Sequence, residues 1–321
     1  PFVRRQARLV ASPLRAPAAE APRSYLPGSD WLYVKAYGGA VNADLVLRDY
    51  IAPLLSELDD TRAIDGFFFI RYADPDRHLR LRLHGSPERL HQVVLPMLHA
   101  CLDEAQRDGL IWRVCLDTYE REVERYGGPG GIELCERWFD LDSRAVLEIV
   151  AAAEDNAELR VLLAWRGCVD VFRAFDFDAA ATLQLCTKVR DRLGAELGLD
   201  RASRSQLGER FRQYRASINT LFAAEPLSDE HPLRPGIEIL QRRYEPLQAL
   251  ANSLKVACAS ASVPLDGVVT SLIHMFVNRV LPTAQRTQEL VLYDFMRRQF
   301  EAEVARTHGA QHLRRRATSQ R

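Results

Sequence analysis

The stretch FFFIRYADPDRHLRLRLH, Phe67–His84, decides the fold of the N-terminal part of the chain. Two runs within it, Phe67–Tyr72 and Leu79–Leu83, are rich in the aromatic and aliphatic residues that form strands. The residues between them, Asp74-Pro75-Asp76, make a favourable turn sequence. The stretch therefore predicts two strands that are joined by a turn.

The second of these strands should carry two different faces, because successive side chains of a strand point to opposite sides. Its leucines then face the core, and its basic residues share the other face: His78, Arg80, Arg82 and His84. The two guanidiniums would lie ~7 Å apart along the strand. Most patterns of this kind are ordinary solvated faces, but a solvated face usually mixes charges and this one has no acid. A solvated face and an anion-binding surface both remain open.

The remaining periodicity predicts an α+β chain, in which an N-terminal sheet-containing part packs with a largely helical C-terminal part. A strand is predicted at Trp31–Tyr37, ending at Gly38-Gly39, and another at Ile111–Thr118. Asn42 is predicted to cap a helix with a kink or restart at Pro53. Further helices are predicted at Glu88–Arg107, Asp142–Ala153, Ala157–Ala174, Ala179–Leu197, Ser205–Phe222, Gly236–Ala259, Val268–Leu281 and Thr283–Arg306.

The two ends of the chain differ from the middle in composition. Residues 1–30 are rich in Ala, Pro, Arg and Ser and predict an extended arm without a core. Arg306–Arg321 predicts a frayed basic tail. The sheet-bearing part is thus expected over 31–130 and the helical part over 131–305.

Charge and cysteine usage exclude several function classes. Lys plus Arg and Asp plus Glu both number 43, so no net field recruits nucleic acid or a membrane. No apolar run approaches the ~20 residues that span a bilayer, and no signal peptide is evident, which predicts a cytoplasmic protein. The six cysteines stand singly and predict small buried hydrophobes. Asp74, Asp76 and His78 alternate, but a metal site would need further ligands.

A second informative stretch is YEREVERYGGPGG, Tyr119–Gly131. Arg121 and Arg125 share a face in either a helix or a strand, and the intervening acids can orient them by ion pairing. A surface strip of salt bridges would have the same pattern. The bracketing tyrosines and the glycine run also suit the rim of a pocket, although no Lys-Ser or Lys-Thr follows to make a phosphate loop.

A third stretch, Val268–Arg279, has a narrow polar stripe on an apolar helix, with Thr270, His274 and Asn278 at intervals of four. A histidine in such a stripe is either a satisfied core residue or, when it faces a pocket, a group suited to proton transfer. Arg279 would add charge at the same end.

These three stretches, in this order, resemble the C-terminal elimination domain of class I lantibiotic dehydratases, a unit that also occurs as a stand-alone protein in thiopeptide pathways. The resemblance runs from Trp31 to Arg279 and rests on Phe68–Arg82, Tyr119–Gly128 and His274–Arg279. In that family a separate domain esterifies Ser or Thr of a precursor peptide with glutamate from glutamyl-tRNA. The elimination domain then removes glutamate and leaves dehydroalanine or dehydrobutyrine.

The resemblance implies roles for particular residues and partners. Catalytic residues would be Arg80, Arg82, Glu122, Arg125 and His274, with the arginines clamping the glutamyl group and His274 moving a proton from Cα or to the leaving carboxylate. Substrate-binding residues would be Arg71, His78, Arg121, Tyr126, Asn278 and Arg279. No cofactor or metal is implied. The partners would be a glutamylated precursor peptide, leader plus core, and a separate tRNA-dependent glutamylating subunit, without direct contact to nucleic acid.

Two alternatives accompany this interpretation. Pyridine synthases of thiopeptide pathways resemble the same domain but join two dehydroalanines by a formal aza-[4+2] cycloaddition with loss of the leader peptide, and lack much of the arginine machinery. A non-catalytic peptide-binding partner of the glutamylating enzyme would lack the clamp or the histidine. Because all three motifs are retained, the sequence favours elimination.

Overall fold

The computed structural model describes residues 21–154, 156–222 and 227–318, with side chains described as far as residue 307. Six strands form within these ranges: β1 (Ser24–Tyr25), β2 (Trp31–Gly38), β3 (Gly66–Tyr72), β4 (His78–His84), β5 (Ile111–Leu116) and β6 (Tyr119–Glu120). Four of them make an antiparallel sheet in the order β3-β4-β2-β5, and β1 pairs with β6 separately. The predicted strands are confirmed, and so is the α+β class.

The α-helices of the described chain are α1 (Ala40–Leu45), α2 (Ala52–Asp60), α3 (Pro87–Arg89), α4 (Leu95–Arg107), α5 (Pro129–Ala153), α6 (Ala157–Ala174), α7 (Ala179–Glu196), α8 (Arg201–Phe222), α9 (Arg234–Ala261), α10 (Leu265–Val280) and α11 (Gln285–Thr318). The leucine face of β4 is buried in the core, as predicted from its alternation. None of the described helices combines the length and the apolar character needed to cross a membrane.

Two prolines interrupt helices in the same way. π-Helical turns at Val46–Ile51 and Leu90–Val94 come shortly before Pro53 and Pro96. A proline has no N–H and clashes with the carbonyl one turn earlier, and a wider turn accommodates both problems. The predicted interruption at Pro53 is confirmed. The predicted cap at Asn42 is wrong, because the helix begins at Ala40 and the Asn42 amide donates to the Leu110 carbonyl at 3.1 Å.

The largest differences from the predicted boundaries concern helix α5 and the two ends of the chain. Helix α5 begins at Pro129 rather than Asp142, since Gly128 takes a left-handed φ of 76° and proline fits the first helical position. Part of the predicted arm, Ser24–Tyr25, pairs with β6, whereas residues 1–20 lie outside the described chain. Helix α11 continues to Thr318 through most of the predicted tail, and residues 319–321 are not described.

The edge of the sheet at β3 is closed by side chains, and this closure positions helix α10. The outward N–H groups of β3 are those of Phe67, Phe69 and Arg71. They donate to Asp140 Oδ1, Ser143 Oγ and Asn278 Oδ1 at 2.9, 3.2 and 2.9 Å, respectively. Unpaired backbone groups at a buried edge would cost free energy, so these bonds fix α5 and α10 against the sheet.

Candidate functional site

Arg82 is a buried cation that lies among aromatic rings. Its guanidinium carbon is 4.5 Å from the ring centroids of both Tyr33 and Tyr119 and 5.1 Å from that of Phe68. The residue is 6% exposed, and its Nε has no hydrogen-bond partner in the described part of the chain. Burial lowers the pKa of Arg82, and its strongest electrostatic neighbours are tyrosines rather than carboxylates. Arg82 is therefore a buried cation without a carboxylate among its strongest electrostatic neighbours.

Arg80 lies on the same face of β4 and is held by its neighbours. Its guanidinium carbon is 3.4 Å from the Tyr72 ring centroid, and its Nε donates to His78 Nε2 at 3.1 Å. His78 Nδ1 in turn donates to the Asp76 carbonyl at 2.8 Å. Burial lowers the pKa of His78, so the ring is neutral near pH 7. His78 therefore orients Arg80, and of the two alternatives left open by the sequence, a fully solvated face of β4 does not fit, because this face is largely covered.

A cavity of about 680 Å³ lies where helices α7, α10 and α11 meet the loop before α5. Its lining includes Glu124, Arg125, Arg192, Val263, Pro264, Gly267, Val268, Thr270, Ser271, His274, Arg286 and Glu289. Arg125 Nε donates to Ser271 Oγ at 3.2 Å, one turn before His274 on α10. The Nη1 of Arg125 also donates to Glu122 at 3.1 and 3.2 Å. The second and third motifs thus meet at this cavity.

His274 is hydrogen-bonded to a carboxylate. Its Nδ1 is 3.0 Å from Glu289 Oε2, and the Glu289 side chain is only 3% exposed. Arg286 Nη1 donates to the same carboxylate oxygen at 3.0 Å. The imidazole is 31% exposed, so one side of it is accessible from the cavity.

Tyr126 is a buried tyrosine that follows Arg125 in the second motif. It is buried beside Phe139, with ring centroids 5.1 Å apart. The guanidinium carbon of Arg125 lies 5.3 Å from the ring centroid of Tyr126. Burial raises the pKa of Tyr126, so its phenol stays neutral. Tyr126 therefore packs Arg125 against the core beside Phe139.

Comparison with known proteins gives the family. The sequence matches the family described as "Lantibiotic biosynthesis dehydratase C-term" over residues 31–300. The chain belongs to this family. This match confirms the resemblance that the three motifs indicate.

Two relatives are far longer than this chain. Subtilin biosynthesis protein SpaB of Bacillus subtilis is 35% identical over 124 residues, which are 39% of this chain and 12% of SpaB. The tRNA dependent lantibiotic dehydratase MibB from Microbispora sp. 107891 has a similar fold, with a TM-score of 0.69 and 24% identity, over 92% of this chain and 29% of MibB. The dehydratase C-terminal chain thus spans only a small part of either protein.

The fold also occurs in a protein whose length is matched throughout. Pyridine synthase TbtD from thiomuracin biosynthesis has a TM-score of 0.56 and 14% identity, over 85% of this chain and 100% of TbtD. At this identity the likeness concerns the fold alone.

Four residues that were expected to bind substrate in this dehydratase C-terminal chain instead use their polar groups within the fold: Arg71, Arg121, Asn278 and Arg279. Arg121 donates to both oxygens of Glu136 at 2.7 and 2.5 Å. Asn278 exchanges two 2.9 Å hydrogen bonds with the Arg71 backbone. The Arg71 side chain donates to Asp44 at 2.5 Å and to the Arg279 carbonyl at 2.9 Å. Arg279 is 0% exposed and donates to the Phe69 carbonyl at 2.8 Å. These contacts give each of the four residues a part in holding the fold together.

Three charged cavity residues were not singled out in the sequence: Arg192, Arg286 and Glu289. They lie on helices α7 and α11, outside the three motifs of the dehydratase C-terminal family. Arg286 and Glu289 are one turn apart, which is the spacing of an ordinary surface salt bridge. Nothing in that spacing indicates that the acid is buried against a histidine from another helix.

Proposed function

We propose that this chain removes glutamate from glutamylated Ser or Thr residues of a ribosomally made precursor peptide, leaving dehydroalanine or dehydrobutyrine. The observation that carries the proposal is the cavity that holds His274 together with Arg125. Membership of the dehydratase C-terminal family supports it. The reaction class is a β-elimination, and the chain acts as a lyase.

The reaction needs a base, a way to stabilise a leaving carboxylate, and no redox partner. A base takes the proton from Cα, the freed electron pair forms the Cα=Cβ double bond, and the Cβ–O bond breaks with its electrons on the glutamate carboxylate. His274 lies at the cavity, where its imidazole is the group suited to accept or return that proton. Guanidiniums match a carboxylate with two parallel hydrogen bonds, which suits Arg125 to the departing group.

In this proposal Arg82 supplies positive charge from the sheet. Its buried guanidinium has aromatic neighbours and no carboxylate among its strongest electrostatic contacts. A bound anion would therefore supply the negative charge that a protein acid would otherwise provide. Arg80 is oriented beside it by His78. Glu122 is more than half exposed and steers Arg125 by an ion pair. In this proposal Arg80, Arg82 and Arg125 hold the glutamyl group and Glu122 orients Arg125.

Arg192 completes the cationic lining of the cavity. Arg125 and Arg286 are hydrogen-bonded to Glu122 and Glu289, whereas Arg192 makes no hydrogen bond or ion pair among the described residues. The first turn of α10 also lines the cavity, and a helix N-terminus favours negative charge. These features support an acidic substrate group in the cavity.

The proposal extends to the partners and the location of the reaction. The peptide substrate would be glutamylated by a separate tRNA-dependent dehydratase activity, as the name of MibB describes for that protein. We place the reaction in the cytoplasm, where charged tRNA is available. Residues 31–305 would form the elimination domain.

The test uses a synthetic peptide with one glutamylated serine and the purified chain without other proteins. The expected products, identified by mass spectrometry, are free glutamate and the dehydroalanine peptide. A parallel reaction contains a peptide with two dehydroalanines. An intact ester together with cyclisation of the second peptide would instead indicate a pyridine synthase. Binding of both peptides without any reaction would indicate a peptide-binding partner.

A further inference from the structure

Glu289 is a buried acid that contacts the imidazole of His274 from another helix. The Nδ1 of His274 on α10 lies 3.0 Å from the Oε2 of Glu289 on α11. A carboxylate at this distance accepts a hydrogen bond from a protonated Nδ1. When Nδ1 carries the proton of the neutral ring, Nε2 is the nitrogen that is left to exchange a proton with a ligand.

The carboxylate of Glu289 is itself held in place. Arg286 Nη1 donates to Oε2 at 3.0 Å, and the other edge of Arg286 donates to Glu196 at 2.8 and 2.5 Å. The Glu289 side chain is almost fully buried, so it cannot turn out to water without breaking both contacts. Arg286 thus links α11 to α7 and keeps Glu289 directed at His274.

We propose that Glu289 is the positioning residue of His274: it fixes the tautomer and orientation of the ring and stabilises the imidazolium that forms during proton transfer. The inference rests on the proposed elimination, in which His274 moves the proton. A carboxylate that holds a histidine in this way is a positioning group rather than a catalytic one, because it touches neither the substrate nor the reacting atoms.

The charges around His274 give the sign of the expected pH effect. Glu289 and Arg286 face it from α11, Arg192 and Glu196 from α7, and Glu124 and Arg125 from the loop before α5. On its own helix, the polar neighbours that line the cavity are Thr270 and Ser271, and both are neutral. Glu289 is the carboxylate in direct contact with the ring, so removing its charge disfavours the imidazolium.

The test is Glu289→Gln, which keeps the size and one acceptor oxygen but removes the charge. We expect kcat for glutamate release to fall by about 10²-fold, the lower end of what acid–base catalysis contributes, with KM nearly unchanged. The limb of the kcat–pH profile that reports the imidazole should move to lower pH. A loss of folded protein would lower the apparent kcat without moving that limb.

The matched control is Glu301→Gln, which removes a carboxylate from the same helix, α11, at a side chain that is 63% exposed and paired with Arg297. It should retain the wild-type kcat and pH profile. Identical profiles in both variants and the wild type would overturn the inference. If the wild type releases no glutamate, the proposed function fails, and the inference is still decided by the ¹⁵N NMR shifts of His274. A neutral ring protonated at Nδ1 supports it, and one protonated at Nε2 overturns it.

Discussion

His274→Ala is expected to slow glutamate release by about 10²–10⁴-fold, because the proton at Cα then has no positioned acceptor. The glutamylated peptide should remain largely unconverted when it is supplied to the variant. The imidazole is partly exposed at the cavity, so its removal leaves no deep void. Single-turnover release of glutamate, followed by mass spectrometry, measures the effect on the chemical step.

His99→Ala is a suitable control for that experiment. His99 is exposed on α4, outside the elements that line the cavity. It should release glutamate at the wild-type rate. Equal rates for His274→Ala and the wild type would contradict the assignment of His274.

Asp142→Asn is expected to lower the free energy of unfolding by about 3–5 kcal/mol, because it leaves buried guanidiniums without their counterion. Asp142 is fully buried on α5 and accepts from Arg243 Nε at 2.7 Å, and Arg279 Nη1 lies 3.7 Å from it. Burial raises the pKa of Asp142, whereas the two arginines favour its charged form. Burial lowers the pKa of Arg279 to about 10, so it remains charged near pH 7. Urea denaturation followed by circular dichroism measures the change.

The same two helices supply a control for this substitution. Glu148 on α5 and Arg242 on α9 form an exposed pair, with more than half of each side chain exposed to solvent. Glu148→Gln should change the free energy of unfolding by only ~0–1 kcal/mol, because an exposed pair is screened by water and salt. If the Asp142→Asn and Glu148→Gln variants had equal free energies of unfolding, the buried cluster would not stabilise the fold.

The alternation of residues along β4 predicts its structure because a strand has a fixed period. Leu79 and Arg82 lie on the faces that the pattern assigns, and the register places Arg82 between Phe68 and Tyr33. The burial of Arg82 could not be predicted in this way. It depends on Tyr119, which reaches the strand only through the tertiary fold.

The start of α5 shows how a local signal can mislead. Gly127, Gly128 and Pro129 indicate a turn, and the structure uses that turn as the beginning of a helix. The buried residues that follow, Ile132, Cys135, Trp138, Phe139 and Asp142, recur at helical spacing and could have indicated the earlier start. The glycines matter as well, since a Cβ on Gly128 would lie 2.9 Å from the Ala261 Cβ.

The sequence did not distinguish the arginines that hold the fold from those that could bind a substrate. Arg121 and Arg125 look equivalent in the motif, but the segment between them turns, so one is buried against Glu136 and the other reaches Ser271. Arg279, next to Asn278, faces the interior. A charged side chain in a motif can hold the fold or bind a substrate, and only its partners distinguish the two roles.

The central claim is that this chain breaks the Cβ–O bond of a glutamylated serine by removing the Cα proton. The most direct measurement compares glutamate release by the isolated chain from peptides with hydrogen or deuterium at that Cα. The account predicts a dehydroalanine peptide without the deuterium, formed more slowly from the deuterated substrate. Release of glutamate with a serine that retains its deuterium would be hydrolysis and would contradict the account, and so would an ester that stays intact.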